Sequence, residues 1–590
     1  MTLFDSRRRN LLRAGSLGVV GAGLPALSFA AGKAGAPPAS TATFDVRQFG
    51  ATGDGKTVDT PAINKAIDAA AAAGGGVVVF PAGTYVCFSI HLKSNVHLHL
   101  EEGSTILAAD SPLPGQTSGY NGGTYDAAEP KTDWDAYQDY GHNHWHNSLI
   151  WGEDLHDLSI TGTGLIFGKG LSFGAGPGRP PQAGQEGTGP GPAGAGNGRP
   201  AGATGAAAPP GGQAPNGAPM RFARGDYPMY QAEQPGVGNK AIALKNCRNV
   251  LFRDFSILKG GHFGFLLTGV DNVTIDNIRI DTDRDGIDID CCQNVRVSNC
   301  TVNSPWDDGI CPKSSYALGY NRPTRNVTIT NCFVSGWYQL GSVLDGTWKK
   351  FPADRRAFGT GRIKCGTESN GGFINITVSN CVFEGCLGYA LESVDGALLE
   401  DITISNTTMR DLGCGPLFLR LGARLRGPKD TTRVGTLRRI LISNLACYNA
   451  PARQASILSG IPGSPIEDVK LADIYVATLG GGTADQAQIV PPEQENGYPE
   501  PGRFGPTPSS GFFLRHMRNL EMSHVEIANA TPDARPAFSL YDVERADFFA
   551  VTAPRNAGGA IALHGVKDFR IGWSRAAADA VLDSADDKLI

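Results

Sequence analysis

A short unit, polar-x-Asn-Val-x-Ile, returns along most of this chain and restricts the folds open to it. It reads Asn249-Val250-Leu251-Phe252, Asn272-Val273-Thr274-Ile275, Asn294-Val295-Arg296-Val297 and Asn326-Val327-Thr328-Ile329. It returns as Asn375-Ile376-Thr377-Val378, Asp401-Ile402-Thr403-Ile404 and Arg439-Ile440-Leu441-Ile442, with echoes at Asp468, Asn519 and Asp568. The first three starts are 23 and 22 residues apart. Such runs are too short and too widely spaced for a hairpin meander, and no helix-period segments separate them as a βαβ fold requires. Parallel strands lying over one another, one rung per coil, satisfy both facts. The pattern predicts an all-β fold: a right-handed parallel β-helix, a single solenoid with large loop insertions. Asn at the same turn of each coil stacks its amide and tolerates the tight bend.

The solenoid is expected over residues 44–590, which is allowed despite that length because each coil buries its inner face only against its neighbours. Residues 1–30 read as a signal peptide: Ser6-Arg7-Arg8-Arg9-Asn10-Leu11-Leu12 enters a Gly-rich apolar stretch that ends in Ser28-Phe29-Ala30. The paired arginines favour the twin-arginine route, hence a periplasmic or extracellular protein. Residues 31–43 read as a linker. A helix from Thr60 to Ala73, with Pro61 in its first turn, is expected to cap the open end of the stack. Two insertions interrupt the coils. Residues 110–147 carry Tyr120, Tyr125, Trp134, Tyr137 and Trp145 among histidines, the composition of a sugar-binding wall. Residues 174–220 are almost wholly Gly, Pro, Ala, Gln and Asn and cannot offset the cost of ordering.

The net charge of -5 gives no reason to expect a nucleic-acid or anionic-membrane partner. The 12 cysteines show no metal spacing, and Cys300, Cys332 and Cys381 each follow an Asn of the repeat. That recurrence predicts buried free thiols stacked inside the coil.

The chemistry is expected where carboxylates gather. Asp281, Asp283, Asp285, Asp288 and Asp290 fall in one coil, and Trp306-Asp307-Asp308-Gly309 in the next. Asp285 stands 22 and 23 residues before the pair, so the three carboxylates share one patch on rungs roughly 4.8 Å apart. Crowding of this kind raises at least one pKa and sets an acid beside a base. An inverting glycosidase needs its two carboxyls about 6.5–9.5 Å apart, which a diagonal pair on neighbouring coils can meet. Two other readings stay open, a Ca2+ cluster and plain turn residues, the latter above all for Asp288 and Asp290. His262, His144, His146 and Trp145 are substrate-binding candidates whose alternative is ordinary packing. No metal is expected of the histidines, for want of a fourth partner or fixed spacing.

From Phe44 to about Asp411 the chain resembles the polygalacturonase-type glycoside hydrolases, family 28, of the pectin-lyase-like superfamily, in a divergent bacterial form. The resemblance rests on Phe49-Gly50-Ala51-Thr52-Gly53-Asp54-Gly55, Gly162-Thr163-Gly164, Asp285-Gly286-Ile287-Asp288-Ile289-Asp290 and Asp307-Asp308-Gly309-Ile310-Cys311-Pro312-Lys313-Ser314. It implies inverting hydrolysis in which Asp307 protonates the glycosidic oxygen while Asp285 and Asp308 position and deprotonate water. Lys313 would support the cleft. Trp306, beside the acid pair, is a candidate sugar platform whose alternative is a core residue.

The departures bear on substrate. The family's Gly-His-Gly is Gly359-Thr360-Gly361 here, so no imidazole stands there. Arg362-Ile363-Lys364 looks like the family's carboxylate clamp, but that clamp belongs one coil later, where this chain has Ala390-Leu391-Glu392. In that register Glu392 with Asp395 would repel a uronate and bond neutral hydroxyls. In the other register Arg362 and Lys364 reach the cleft. Arg420, in the C-terminal half, is a further substrate-binding candidate; with the strip Arg424 and Arg426 that follows, it would supply the missing positive charge or merely solvate a turn. The expectation is a monomeric hydrolase of a cell-wall polysaccharide or oligosaccharide, pectic by resemblance, using no cofactor. The alternatives are a hydrolase of a less acidic glycan, a polysaccharide lyase, which alone would call for Ca2+, and a non-catalytic glycan-binding helix.

Overall fold

The computed structural model describes residues 42–139, 141–173, 230–350, 359–555 and 558–590. The expected signal peptide, nearly all of the linker and the low-complexity insertion lie outside the described residues. What is described is a right-handed parallel β-helix with large loop insertions, its strands joined into one continuous sheet apart from the antiparallel pair Tyr338–Leu340 and Lys349–Lys350. Coils in the middle of the stack contribute three strands, as in Phe263–Thr268, Asp271–Asp276 and Arg279–Asp281. Each pairs in parallel with its equivalent in the next coil, here Asp285–Asp290, Gln293–Ser298 and Thr301–Asn303. In later coils two of the three run together, as in Phe373–Glu384.

The repeat unit explains the coil. Val250, Val273, Val295, Val327, Ile376 and Ile402 stand in register and are buried, so the apolar half of each alternating run forms one wall of the core. The Asn before each of the first five takes a left-handed backbone, with φ of 57°, 54°, 59°, 56° and 58° at Asn249, Asn272, Asn294, Asn326 and Asn375, as does Asp401 before Ile402 at 59°. Asparagine is among the few side chains that enter this region readily. Their amides form a ladder: Asn272 donates to Asn249 at 3.0 Å, Asn294 to Asn272 at 3.2 Å, Asn326 to Asn294 at 3.0 Å and Asn375 to Asn326 at 2.8 Å.

Helix α1, Thr60–Ala72, buries Ile63, Ala66, Ile67 and Ala70 into the same core that the coils enclose. At the other end the strands Val566–Gly572 and Ala580–Ala585 pair antiparallel and turn the chain back on itself. All twelve cysteines are buried and unpaired, as the repeat predicts.

One face of the helix positions the site. Its strands are β1 (Lys240–Lys245), β2 (Phe263–Thr268), β3 (Asp285–Asp290), β4 (Ile310–Lys313), β5 (Ile363–Cys365), β6 (Tyr389–Ser393) and β7 (Leu417–Leu421). Two loops cover the outside of this face. Trp145, from the aromatic insertion, packs on Ala243, Phe263 and Leu266 toward one end. Toward the other, Phe504 packs on Ala390, Phe418, Ile457 and Phe513. Between these two covers lie the carboxylates.

Candidate active site

Ile287 of β3 pairs with Ile310 of β4, which sets Asp285 level with Asp308 on the next rung. The Asp308 amide donates to Asp285 Oδ1 at 3.1 Å, and the Gly286 amide to the Asp308 carbonyl at 3.0 Å. Asp285, Asp307 and Asp308 each bring a carboxylate oxygen within 4.8 Å of the others. That nearest-atom grouping is tighter than the spacing expected of a diagonal pair. Asp285 and Asp308 are buried, whereas the Asp307 side chain keeps 16% of its surface. Gly361 lets the next coil press close beneath: it takes φ 44°, donates to the Asp307 carbonyl at 2.8 Å, and has no room for a Cβ.

The environments of the three acids differ. Burial pushes Asp285 well above the usual carboxylate range, helped by the charges of Asp288 and Asp307 and opposed by Lys313. Burial works the same way on Asp308, but Arg362 and Lys364 overcome it and hold that carboxylate well below its ordinary value. Arg362 Nε donates to Asp308 Oδ1 at 2.7 Å and Lys364 Nζ lies 2.7 Å from Oδ2. Asp307 receives Arg284 at 2.7 Å. Divergent proton affinity in one carboxylate cluster is the electrostatic signature of acid–base work. The oxygens also have the chemistry of a divalent-cation site. Four protein cations already stand in that role, with Lys313 Nζ at 3.7 Å from Asp285 and 3.6 Å from Asp288.

Lys313 therefore sits at the hub of these carboxylates, and its third partner is Glu368 at 3.7 Å. Burial opposes ionisation of Glu368, and a charged His142, Lys313 and Arg426 favour it. Burial holds His142 neutral down to about 3, so the two permanent cations carry that effect at neutral pH. His142 Nδ1 lies 3.5 Å from Glu368. Arg426 joins Glu368 at 3.1 Å to Asp139 of the insertion at 2.9 Å. No sequence signal points to Arg284, Glu368, Tyr498 or Glu500, whereas Asp288 reads there as a turn residue and Arg424 and Arg426 as an Arg-rich strip.

The remaining candidates fall in several places. Arg362 and Lys364 stand one coil before Ala390-Leu391-Glu392, since Lys364 pairs with Ala390, yet both reach Asp308 directly. Glu392 is fully buried, and burial lifts it to about 7 against the pull of Lys364 and Arg362. Asp395 is held by Arg424 Nε at 3.0 Å and by the Arg426 amide at 2.9 Å. Trp306, half-buried, adjoins Asp307 and donates its amide to the Asp283 carbonyl at 2.9 Å. His262 is buried and stacks on Phe263, ring centroids 4.2 Å apart. Trp145 is buried too and donates Nε1 to Thr268 at 3.0 Å. His144 lies 3.9 Å from Glu129, and His146 stands between Glu153 at 3.0 Å and Glu129 at 3.6 Å. Arg420 spends its guanidinium on Ser459, Gly460 and the Glu493 carbonyl, so it braces the C-terminal loop rather than the carboxylates.

With this geometry in view, the comparisons are consistent. A family profile described as Rhamnogalacturonase A/epimerase, pectate lyase-like, matches residues 43–121, and one described as Right handed beta helix region matches residues 233–334. The exo-poly-alpha-D-galacturonosidase of Dickeya chrysanthemi is 41% identical over 68 residues, which are 12% of this chain and 11% of that protein. The mannuronan C5-epimerase AlgE2 of Azotobacter vinelandii is 51% identical over 65 residues, 9% of this chain and 6% of that one. Plasmin and fibronectin-binding protein A of Streptococcus pneumoniae is 53% identical over 66 residues, 11% of this chain and 9% of its own. The matched segments thus span about a tenth or less of these relatives. In fold, the chain is similar to the family 28 exopolygalacturonase of Yersinia enterocolitica, with TM-score 0.57, 18% identity, and 86% and 78% of the two chains covered. It is also similar to the exopolygalacturonase of Thermotoga maritima, with TM-score 0.51, 18% identity, and 75% and 88% covered. The chain has the right-handed β-helix fold, and short segments of it are similar to carbohydrate-acting proteins. No helix among the described residues is long and apolar enough to cross a membrane.

Proposed function

We propose that the protein is an inverting glycoside hydrolase of a cell-wall polysaccharide, of the polygalacturonase type and exported from the cytoplasm. One observation carries the reading: three aspartates from adjacent coils share one patch, with Asp285 pushed toward the neutral form and Asp308 held ionised. In this scheme the partly exposed Asp307 donates its proton to the departing glycosidic oxygen. Asp308, kept anionic by Arg362 and Lys364, accepts the proton of the attacking water, which Asp285 helps to position. Lys313 fixes Asp285 relative to that water, and Trp306 offers its ring beside the acid.

The close grouping of the carboxylates favours a second reading, a retaining course with an aspartate as nucleophile, because such enzymes space their carboxyls at about 5–5.5 Å. Hydrolysis by the wild-type protein is measured as reducing ends released from polygalacturonate, rhamnogalacturonan and neutral glycans, with the first-formed anomer read by proton NMR. Initial appearance of the opposite anomer supports inversion, and the same anomer replaces it with retention. A product absorbing in the ultraviolet, formed only with Ca2+, would instead make the protein a lyase. Binding without turnover would make it a glycan-binding helix.

A further inference from the structure

The cations around the aspartates are matched to carboxylates of the protein itself. Arg284 serves Asp307, Lys313 serves Asp285, Asp288 and Glu368, Lys364 serves Asp308, Arg424 serves Asp395, and Arg426 serves Glu368 and Asp139. Arg362 is the most fully engaged. Its Nε is taken by Asp308, while Nη1 and Nη2 donate to the two oxygens of Glu500 at 3.2 and 2.9 Å. A fork-to-fork contact of this kind is how a guanidinium grips a ligand carboxylate. Here the carboxylate comes from the chain, 138 residues further on.

Tyr498 secures the same loop. It accepts from Thr367 at 3.0 Å, and Lys364 lies 6.0 Å and Arg424 5.8 Å from the centre of its ring. Arg362 is 1% exposed, so a second carboxylate cannot share it without displacing Glu500. Two further lysines lie on this face, and one of them, Lys245, is paired with Glu153 at 2.8 Å. Lys240 stands two coils before Asp285, through Phe263, and bonds the amide oxygens of Asn239 at 2.9 Å and Asn147 at 3.4 Å. Burial lowers it to about 7, so it carries only part of a charge at neutral pH. A uronate brought to the aspartates would meet acids already paired and Glu500 still 21% exposed. Like charge at close range excludes such a ligand, while paired acids continue to accept hydroxyl hydrogen bonds.

We infer that the sugar bound against the aspartates is a neutral one, and that Glu500 determines this by occupying Arg362. The inference rests on the glycosidase reading for the position of the sugar, and its test is separable from that reading. Polygalacturonate is compared with its carboxyl-reduced form, which keeps the linkage and loses the charge, alongside a panel of neutral cell-wall glycans. The wild-type protein is expected to show kcat/KM at least about tenfold higher on the neutral polymers. Glu500→Gln frees the outer edge of Arg362 and is expected to move that ratio at least about tenfold toward polygalacturonate. A merely structural Glu500 would lower both rates in the same proportion, and that result overturns the inference.

A second arm measures binding of neutral and uronate oligosaccharides to Asp307→Asn by calorimetry. No hydrolysis of any polymer, with neutral ligands still preferred, removes the glycosidase reading and keeps this one. Faster cleavage of polygalacturonate, tighter binding of the uronate, or binding of neither class overturns it.

Discussion

Lys364 holds its ammonium nitrogen 2.7 Å from Asp308, one coil beyond it, and Arg362 occupies the other oxygen of the same carboxylate. Burial would raise Asp308, and the two cations more than reverse it. A carboxylate depressed in this way adds stability above its unfolded pKa, about 3.9, and loses it as pH falls through the lower folded value. Lys364→Met removes one cation and lets Asp308 rise. The acid limb of log kcat against pH is expected to move upward by about one unit or more. An acid limb that stays in place would separate Asp308 from the activation of water.

Asp307 is the most accessible of the three acids, and its side chain is partnered by Arg284 at 2.7 Å. Asp307→Asn preserves size and keeps an acceptor for that guanidinium. Catalysis is expected to fall roughly 10²- to 10⁴-fold, the range for loss of a positioned proton donor. The melting temperature should hold. Reducing-sugar release and thermal unfolding on the same preparation check both halves, and near-normal turnover would move the acid elsewhere.

Asp285 makes the opposite prediction about stability. Burial and the neighbouring charges of Asp288 and Asp307 raise it, with Lys313 opposing. A carboxyl raised on folding stabilises below its unfolded pKa, and that contribution disappears as pH climbs through the folded value. Asp285→Asn fixes the uncharged form. The variant is therefore expected to melt at or above the wild-type temperature, with the difference widening from pH 5 toward pH 9, while activity is lost. A gap that narrows with pH would mean that Lys313 keeps Asp285 ionised throughout.

What could be read from the sequence follows from what repeats. Asn272 and Val273 recur coil after coil, so the strand, its turn and its burial were all visible, and the rung spacing alone put Asp285 beside Asp307 and Asp308. The supports of the site do not repeat. Glu500 reaches Arg362 across 138 residues and Asp139 reaches Arg426 across 287, from loops whose paths no local pattern encodes. Those distant ion pairs also fill the cations that the sequence left open. In one register the sequence makes Arg362 and Lys364 a ligand clamp, and the structure shows them pairing with Asp308 and, for Arg362, Glu500. Arg420 looked like spare positive charge, yet its partners are Ser459 and the backbone of the loop it braces.

The cysteines give a test of the coil interior. Burial lifts the thiols of Cys87, Cys291 and Cys311 well above their usual range, Cys311 donating to the Gly366 carbonyl at 2.9 Å. Neutral, enclosed thiols are poor nucleophiles. A thiol-specific chromogenic reagent is expected to label none of the twelve in the native protein and all of them in denaturant. Rapid native labelling would place a cysteine at the surface.

The asparagine ladder should divide its stability between hydrogen bonds and backbone conformation. Asn272 donates to Asn249, accepts from Asn294, and holds φ at 54°. Asn272→Gly loses the two amide bonds but enters the left-handed region freely, so a loss of about 1 kcal/mol is expected. Asn272→Ala loses the same bonds and adds the clash of its Cβ there, which costs a further ~1–2 kcal/mol. Denaturant unfolding should therefore rank Asn above Gly and Gly above Ala. Equal losses for the two variants would assign the whole effect to the amides and remove the backbone from the explanation. The predicted order requires both, because a turn that repeats at every coil must bend the chain and pair its polar groups in the same residue.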